Sequence, residues 1–148
     1  GKLYNCVERD TGAGKTDYTH RKPAGYYSIP CRSTNPSLVM ENCTSIDSHG
    51  YGLQVDLAKN VQIKDFHLEN PAGIDGKGAS FGGMYGQFSD ASVDIHASGD
   101  RVDTLVFAKN NQNVQYTGEI ISDSARAFLV EGGQNVQTAG MKVASAGQ

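Results

Sequence analysis

The sequence is poor in several residue types, and each shortage excludes a class of protein. It has no tryptophan, four prolines and three cysteines in 148 residues, so at most one disulfide can form within the chain. A small domain stapled by several disulfides is therefore excluded. No apolar run approaches the roughly 20 residues that a membrane-spanning helix needs, and we expect no membrane partner.

Charge is sparse as well. Charged residues make up 20% of the chain and the formal net charge is −3, which does not favour the phosphate backbone of nucleic acid as a partner. Glycine, in contrast, is abundant at 18 residues, and this suits many tight turns better than long helices. With 38% apolar residues, a chain of this length can bury one continuous core. The composition therefore predicts one β-rich domain.

The chain contains imperfect internal repeats. The tripeptide Asn-Val-Gln occurs at 60–62, 113–115 and 135–137, each time shortly after a β-prone run. A segment that starts at Ile46 aligns without a gap with one that starts at Ile121, over sixteen positions. The apolar residues that anchor successive repeats are separated by 23, 27, 26 and 22 residues: Leu38, Val61, Phe88, Val114 and Val136. Self-similarity at such a period predicts a solenoid.

The repeats hold short strands rather than helices, since no segment of ten or more residues has helical period. Leucine and valine at 53, 55 and 57 alternate with Gln54 and Asp56, as in a strand with one face inward. Asparagine precedes three of the anchors, and asparagine tolerates the left-handed backbone of a bend. Stacked coils would therefore place Asn113 and Asn135 one above the other.

With these repeats, the chain resembles the pectate-lyase-like superfamily of single-stranded right-handed parallel β-helices. That superfamily includes polysaccharide lyases, mannuronan epimerases, glycosidases and phage tailspikes. The resemblance extends from Asn5 to Val143 and concerns the coil-forming residues. It implies an all-β fold, a right-handed parallel β-helix of about six coils that spans residues 1–148 as a single domain. It also implies an extracellular protein, secreted or on a virion surface.

Both ends of the sequence fall partway through a coil. Residues 3–10 resemble residues 40–47, and the last residues continue a repeat. No amphipathic capping helix is visible, and a bare solenoid end exposes strand edges and core. We therefore expect open ends, as if the chain were a segment cut from a longer solenoid. Either the remaining part of a larger protein or another chain would cover them.

Two insertions, residues 15–24 and residues 71–78, interrupt the coil at one corner. Between them in the stack lies the short turn Asp47-Ser48-His49-Gly50, so the longer loops would form the walls of a groove. Polysaccharide-acting β-helices that this chain resembles place their sites on such a groove. The same residues could also be polar turn residues on a solvated corner.

The groove offers groups for chemistry on an acidic polysaccharide. Asp47 and His49 are predicted as acid and base, with Asp10 as their neighbour one coil away. Carboxylates and imidazole can abstract a sugar C5 proton or protonate a glycosidic oxygen. Substrate binding is predicted for side chains of the two insertions: His20, Arg21, Lys22, Asp75 and Lys77. Of these, Arg21, Lys22 or Lys77 would neutralise a uronate.

We expect no cofactor and no metal ligand set. No Cys/His spacing matches a zinc site, and His67 and His96 are predicted near strand ends in surface roles. Calcium could bind through Asp47, Asp75 or Asp123, although no run of alternating aspartate and glycine supports it.

Two functions remain open from the sequence. The leading hypothesis is an extracellular β-helix that engages an acidic polysaccharide as a lyase, epimerase or glycosidase. The alternative is a non-catalytic structural module, such as the stalk of an adhesin or tailspike, in which the coils supply length and an assembly interface. The residues alone do not decide whether the protein is an enzyme.

Overall fold

The protein is a coil of short parallel strands. The computed structural model describes residues 2–9, 24–28, 38–83 and 86–146, with the backbone alone for 24–28. No helix with the length and apolar character of a membrane span occurs in the described part of the chain. The described residues form thirteen strands: β1 (Lys2–Tyr4), β2 (Val7–Arg9), β3 (Ala24–Ser28), β4 (Leu38–Glu41), β5 (Thr44–Ile46), β6 (Tyr51–Val55), β7 (Val61–Glu69), β8 (Lys77–Phe81), β9 (Phe88–Ser98), β10 (Thr104–Lys109), β11 (Asn111–Ile121), β12 (Phe128–Glu131) and β13 (Gln134–Ala144).

The strands build two sheets. Sheet A has eight strands, in the order β1-β4-β7-β9-β11-β13, with β2 pairing β5 and β5 pairing β7. Sheet B has five strands, in the order β12-β10-β8-β6-β3. Spatial neighbours are parallel and lie one whole coil apart in the chain, which makes a β-solenoid of about five turns. The all-β parallel solenoid is thus confirmed, with about five turns where about six were predicted, and its right-handed sense stays a prediction.

The strand register confirms most of the anchor residues. Leu38 pairs with Val61, and Val114 pairs with Val136. Phe88 is wrong as an anchor, because it pairs with a residue three positions before Val114.

The true counterpart of Val114 is Ala91. From Val61 onward, each anchor follows a residue with left-handed backbone, and in this coil that residue is Asp90, with φ 52°. An aspartate followed by a small alanine does not stand out in the sequence, whereas Phe88 does.

Side chains at the bends bond from coil to coil. Asp90, Asn113 and Asn135 all adopt left-handed backbone, with φ between 52° and 55°. Asn113 Nδ2 donates to Asp90 Oδ1 at 3.2 Å, and Asn135 Nδ2 donates to Asn113 Oδ1 at 3.0 Å. The predicted stacking of Asn113 and Asn135 is therefore confirmed, and it extends one coil further to Asp90.

The core lies between the two sheets and contains an aromatic column. The ring centroid of Phe81 is 5.3 Å from that of Phe88 and 5.8 Å from that of Tyr116, which in turn is 5.2 Å from that of Phe128. Burial raises the pKa of the Tyr116 phenol well above its ordinary value, and its hydroxyl donates to Asn111 Oδ1. The only polar atom of this column is thus satisfied inside the core.

Sheet B departs from the predicted one-sided strand. All residues of β6 are buried, and so are Gln54 and Asp56, whose side chains were expected to face solvent. Gln54 Nε2 donates to Asp56 Oδ2 at 2.8 Å. Leu57 lies beyond the strand, with φ 51° and 40% exposure. The alternation of apolar and polar residues at 53–57 correctly predicted a strand. The prediction that one face of this strand is exposed was wrong, because both faces of β6 are buried.

One edge of the solenoid is exposed. Within the described residues, β12 and β13 each pair with one neighbouring strand, β10 and β11 respectively. Val143 is 49% exposed and Val130 is 38% exposed. These apolar side chains lie where a further coil would cover them.

Candidate functional site

The short turn and the second insertion lie side by side. Ala72 N–H donates to Ser48 O at 2.7 Å, and Gly73 N–H donates to Gly50 O at 2.9 Å. The first insertion, apart from Ala24, and the predicted site residues Asp10, His20, Arg21 and Lys22 lie outside the described residues. The corner can therefore be described from the turn at 47–50 and the insertion at 71–78.

The second insertion ends in a tight hairpin turn. Ile74 and Lys77 exchange backbone hydrogen bonds of 3.0 and 3.1 Å, and Asp75 and Gly76 between them have φ of 53° and 77°. Such a turn projects its two central residues outward, and Asp75 is exposed. Lys77 begins β8, with its Nζ 4.8 Å from the centroid of the Phe107 ring. The two predicted substrate contacts thus lie on one hairpin.

Asp47 is part of a bend. Its φ is 54°, and its Oδ1 accepts a hydrogen bond of 2.9 Å from Asn70 Nδ2 in the next coil. This contact fixes the direction of the carboxylate. His49, two residues on, is half-buried. The acid and base roles of Asp47 and His49 stay predictions.

Tyr51 adds a phenol with a raised pKa to the corner. Burial, followed by the negative charges of Asp75 and Asp56, raises the pKa of its phenol to about 12, against a smaller opposing effect of a hydrogen bond with Ser80. The phenol therefore keeps its proton at neutral pH and can only donate or accept a hydrogen bond there.

Further along the stack, the same corner opens into a cleft of 660 Å³, bounded by the turns at 98–103 and 121–124. Asp103 is fixed on its rim: Ser124 Oγ donates to Asp103 Oδ1 at 2.7 Å, and Arg126 Nε lies 3.7 Å from Asp103 Oδ2. On the other side, Asp123 Oδ1 accepts hydrogen bonds from Ala146 N–H, at 3.1 Å, and from the Ser145 hydroxyl. We name this space the corner cleft.

The three acids named for calcium serve different local structures. Asp47 bonds to Asn70, Asp75 lies at the hairpin turn, and Asp123 bonds to residues 145 and 146. Calcium binding by any of them stays a prediction.

A second group of polar side chains lies on the outer face of sheet A. His67 and His96 are register partners in β7 and β9, and their rings stack with centroids 5.1 Å apart and planes 20° apart. Their side chains are 40% and 41% exposed. The solenoid thus brings together two histidines that are separated in the chain by one coil.

An aspartate accompanies each histidine. Asp65 Oδ1 lies 3.0 Å from His67 Nε2 and 3.8 Å from His96 Nε2, and Asp94 Oδ1 lies 3.8 Å from His96 Nε2. Asp65 N–H donates to Asp94 Oδ2 at 3.1 Å, and Thr117 Oγ1 donates to Asp94 Oδ1 at 3.1 Å. We name Asp65, His67, Asp94 and His96 the His-Asp cluster.

Sequence reasoning placed these histidines on the surface but did not bring the four residues together. The missed signal is a pattern that occurs twice, Asp65-Phe66-His67 and Asp94-Ile95-His96, with the central apolar residue buried each time. Alternation in a strand places both polar residues of such a triplet on the outer face. Only the strand register shows that the two triplets are neighbours.

The cluster is continuous with the corner cleft. A shallow groove lined by His67, Glu69, His96, Ser98, Glu119 and Ile121 runs beside it, and Ser98 and Ile121 also line the corner cleft. On the opposite side, a second groove that contains Gln62, Lys64, Ser92 and Asp94 reaches the cluster. The outer face of sheet A and the corner therefore form one polar surface.

Comparison of the chain with known protein families, with curated proteins and with solved structures gives no match. The β-solenoid is compatible with a β-helix fold, and coil-forming residues are common to enzymes and to inert stalks. Function must therefore be inferred from the chemistry and geometry of the polar surface.

Proposed function

We propose that the protein is an extracellular, polysaccharide-engaging β-helix of the pectate-lyase-like type, and that its polymer lies along the outer face of sheet A and enters the corner cleft. The observation that carries this proposal is the continuity of the His-Asp cluster with the corner cleft through Ser98 and Ile121. An elongated polar surface with ionisable groups along it suits a chain molecule better than a compact ligand.

The periodicity of the surface supports a polymer with repeating hydroxyl groups. Strands in a sheet lie about 4.8 Å apart, so each coil presents equivalent side chains at that spacing. One outer row consists of amide and hydroxyl side chains that are register partners across four strands: Gln62, Ser92, Gln115 and Gln137. Amides and hydroxyls both donate and accept hydrogen bonds, which matches the needs of sugar hydroxyls.

The ionisable groups suit an acidic glycan and acid/base chemistry. His67, hydrogen-bonded to Asp65, has the arrangement of an oriented general base, and Asp47, His49 and Asp10 remain the predicted acid/base set at the corner. Lys77 on its hairpin, together with His20, Arg21, Lys22 and Asp75, is proposed to contact the polymer. Turnover would be that of a lyase, an epimerase or a glycosidase.

The test is incubation of the protein with a panel of acidic and neutral polysaccharides. Binding is measured by calorimetry, and turnover by ultraviolet absorbance of unsaturated uronate ends, by new reducing ends and by nuclear magnetic resonance of uronate configuration. We expect saturable binding of at least one acidic polysaccharide. Absence of binding to every acidic polymer in the panel would refute the proposal.

Two variants assign the roles within the surface. His67→Gln with His96→Gln changes the cluster, Asp47→Asn with His49→Ala changes the corner, and Glu131→Gln on sheet B is the matched control. We expect the first two to lower affinity or turnover at least tenfold and the control to match the unaltered protein. Equal polysaccharide binding by all three would show that neither part of the surface contacts the polymer.

A structural module is the second candidate, and the bonds between coils favour it. Asn42 Nδ2 donates to Asn5 Oδ1 at 2.9 Å, in addition to the pair of Asp47 with Asn70 and the row that ends at Asn135. Such rows stiffen a rod whether or not it acts on a ligand. In that case another chain, or the remaining part of a larger protein, would cover the edge at β12 and β13. Indifference of polysaccharide binding to both surface variants, together with concentration-dependent assembly in ultracentrifugation, would support this candidate.

A further inference from the structure

The His-Asp cluster has the ligand atoms and the spacing of a metal site. Asp65, Asp94 and His96 each offer one ligand atom, and these atoms all lie within 4.8 Å of one another. His67 Nε2 lies beside these atoms, 3.0 Å from Asp65 Oδ1, and is not one of the three. In a tetrahedral site with bonds of about 2.0 to 2.1 Å, neighbouring ligand atoms are about 3.3 Å apart. His96 Nε2 is 3.8 Å from Asp65 Oδ1 and 3.8 Å from Asp94 Oδ1, a little more than that value.

Hydrogen bonds from groups that would not bind the ion also hold the ligands in place. Thr117 Oγ1 and the backbone N–H of Asp65 both donate to the carboxylate of Asp94. Asp65 itself lies in a bend with φ 55°. Contacts of this kind orient metal ligands and lower the cost of collecting them around an ion.

The donor types select the class of metal. Calcium and magnesium prefer oxygen ligands, whereas imidazole nitrogen combined with carboxylate oxygen suits zinc, cobalt and nickel. The two carboxylates of the cluster would balance the charge of a divalent ion. The side chains are between 32% and 46% exposed, so an ion bound here would face the polar surface.

We propose that Asp65, Asp94 and His96 bind one divalent transition-metal ion of the zinc type, with His67 beside the site. This site differs in place and in chemistry from the calcium positions considered at Asp47, Asp75 and Asp123. The proposal rests on the ligand geometry alone and goes beyond the proposed engagement of polysaccharide, because an ion can bind here whether or not a glycan does.

The test uses the whole chain, freed of metal with a chelator and titrated with Zn²⁺ by calorimetry in the absence of polysaccharide. We expect saturable binding of one Zn²⁺ per chain. His96→Gln and Asp94→Asn should each weaken it at least tenfold, with unchanged circular dichroism. The matched control, His49→Gln, removes a histidine outside the cluster and should bind as the unaltered protein does. Equal Zn²⁺ affinity in His96→Gln and the unaltered protein would overturn the proposal.

A second measurement needs no variant and is therefore immune to misfolding. One equivalent of paramagnetic Co²⁺ should shift or broaden the imidazole resonances of His67 and His96 and leave that of His49 in place. An effect centred on other histidines, or stronger binding of Ca²⁺ than of Zn²⁺, would also overturn the site. Polysaccharide binding measured in the presence of a chelator separates the two proposals, because it measures binding of the glycan in the absence of the ion.

Discussion

The ring of His67 lies against the ring of His96, one coil further along the stack, at 5.1 Å between centroids. The pair belongs to a row of register partners on the outer face of sheet A that continues to Thr44 on one side and to Glu119 and Lys142 on the other. In a parallel solenoid, residues that are one coil apart in the chain become direct neighbours in space. The chemistry of this face is therefore determined by which residues recur at equivalent positions.

Close approach of two strands next to the cluster depends on Gly118. Its φ is 116°, and a Cβ there would lie 2.0 Å from the carbonyl oxygen of Ile95. We expect Gly118→Ala to lower the free energy of unfolding by about 2 to 4 kcal/mol, because backbone must move and the left-handed φ is strained. Urea unfolding measures this loss.

Gly140→Ala is the control for Gly118→Ala. A Cβ at Gly140 would meet the methyl group of Thr117 at 2.8 Å, a side chain that can move, and its φ is not in the left-handed region. We expect a loss of less than about 1 kcal/mol. Equal losses for the two alanine variants would show that the close approach at Gly118 is not rigid.

The row of left-handed residues can be tested at Asn113. Asn113→Ala forces an alanine into φ 55° and removes the side-chain hydrogen bonds to Asp90 and Asn135. We expect a loss of about 1 to 2 kcal/mol in the free energy of unfolding. Asn113→Gly removes the same bonds but accepts the backbone, so its loss should be smaller. Gln115→Ala, on the same strand, serves as control. A glycine variant less stable than the alanine variant would contradict the role of the backbone.

Tyr51 predicts a loss of stability at high pH. Its phenol has a pKa of about 12 in the folded protein, mainly because of burial, against about 10 in an unfolded chain. The unfolded chain thus releases the proton first, so the contribution of Tyr51 is complete below pH 10 and is lost as the pH rises toward 12. The full loss is roughly 2 to 3 kcal/mol.

Thermal unfolding from pH 9 to pH 12 measures the effect of Tyr51. Tyr51→Phe should show a shallower decline than the unaltered protein, although the buried Tyr116 contributes in the same direction. Asp75→Asn removes one charge that raises the pKa of Tyr51 and should give an intermediate slope. A decline in Tyr51→Phe as steep as in the unaltered protein would exclude this explanation.

Lys77 connects the hairpin to the proposed substrate. Its ammonium lies over the ring of Phe107, so Lys77→Gln should cost about 0.5 to 1 kcal/mol in stability through the lost cation–π contact. It should also lower the affinity for an acidic polysaccharide several-fold and leave the affinity for neutral polysaccharides unchanged, as measured by calorimetry. Lys77→Arg keeps the charge and should preserve most of the stability and most of the affinity for the acidic polysaccharide. Unchanged affinity for the acidic polymer in Lys77→Gln would remove Lys77 from the binding surface.

The sequence predicts the solenoid well because the fold depends on local, repeated features. Val114 and Val136 follow left-handed asparagines, and both features are visible as letters. The prediction fails at Phe88, where an aspartate bends the chain instead, and at Asp56, whose burial depends on what covers the outer face of sheet B. An aspartate at a bend is not distinctive in the sequence, and the burial of Asp56 depends on residues elsewhere in the chain.

The site is less predictable than the fold, since it depends on register between coils of unequal length. The corner was proposed because insertions are conspicuous in an alignment of repeats, and its role stays a prediction. The His-Asp cluster was missed because Asp65 and Asp94 are 29 residues apart, a longer step than the predicted repeat. An alignment that allowed one longer coil would have matched the two Asp-x-His triplets.

The direction of the hydrogen bonds has a mechanical consequence. In sheet A they run along the axis of the rod, so a pull on the two ends loads them in tension rather than in shear. Separation of β11 from β13 would free the chain between them, which for Asn113 and Asn135 means 22 residues of slack before the next coil bears load. Under force the rod should therefore lengthen in discrete steps, one coil at a time, instead of rupturing at once.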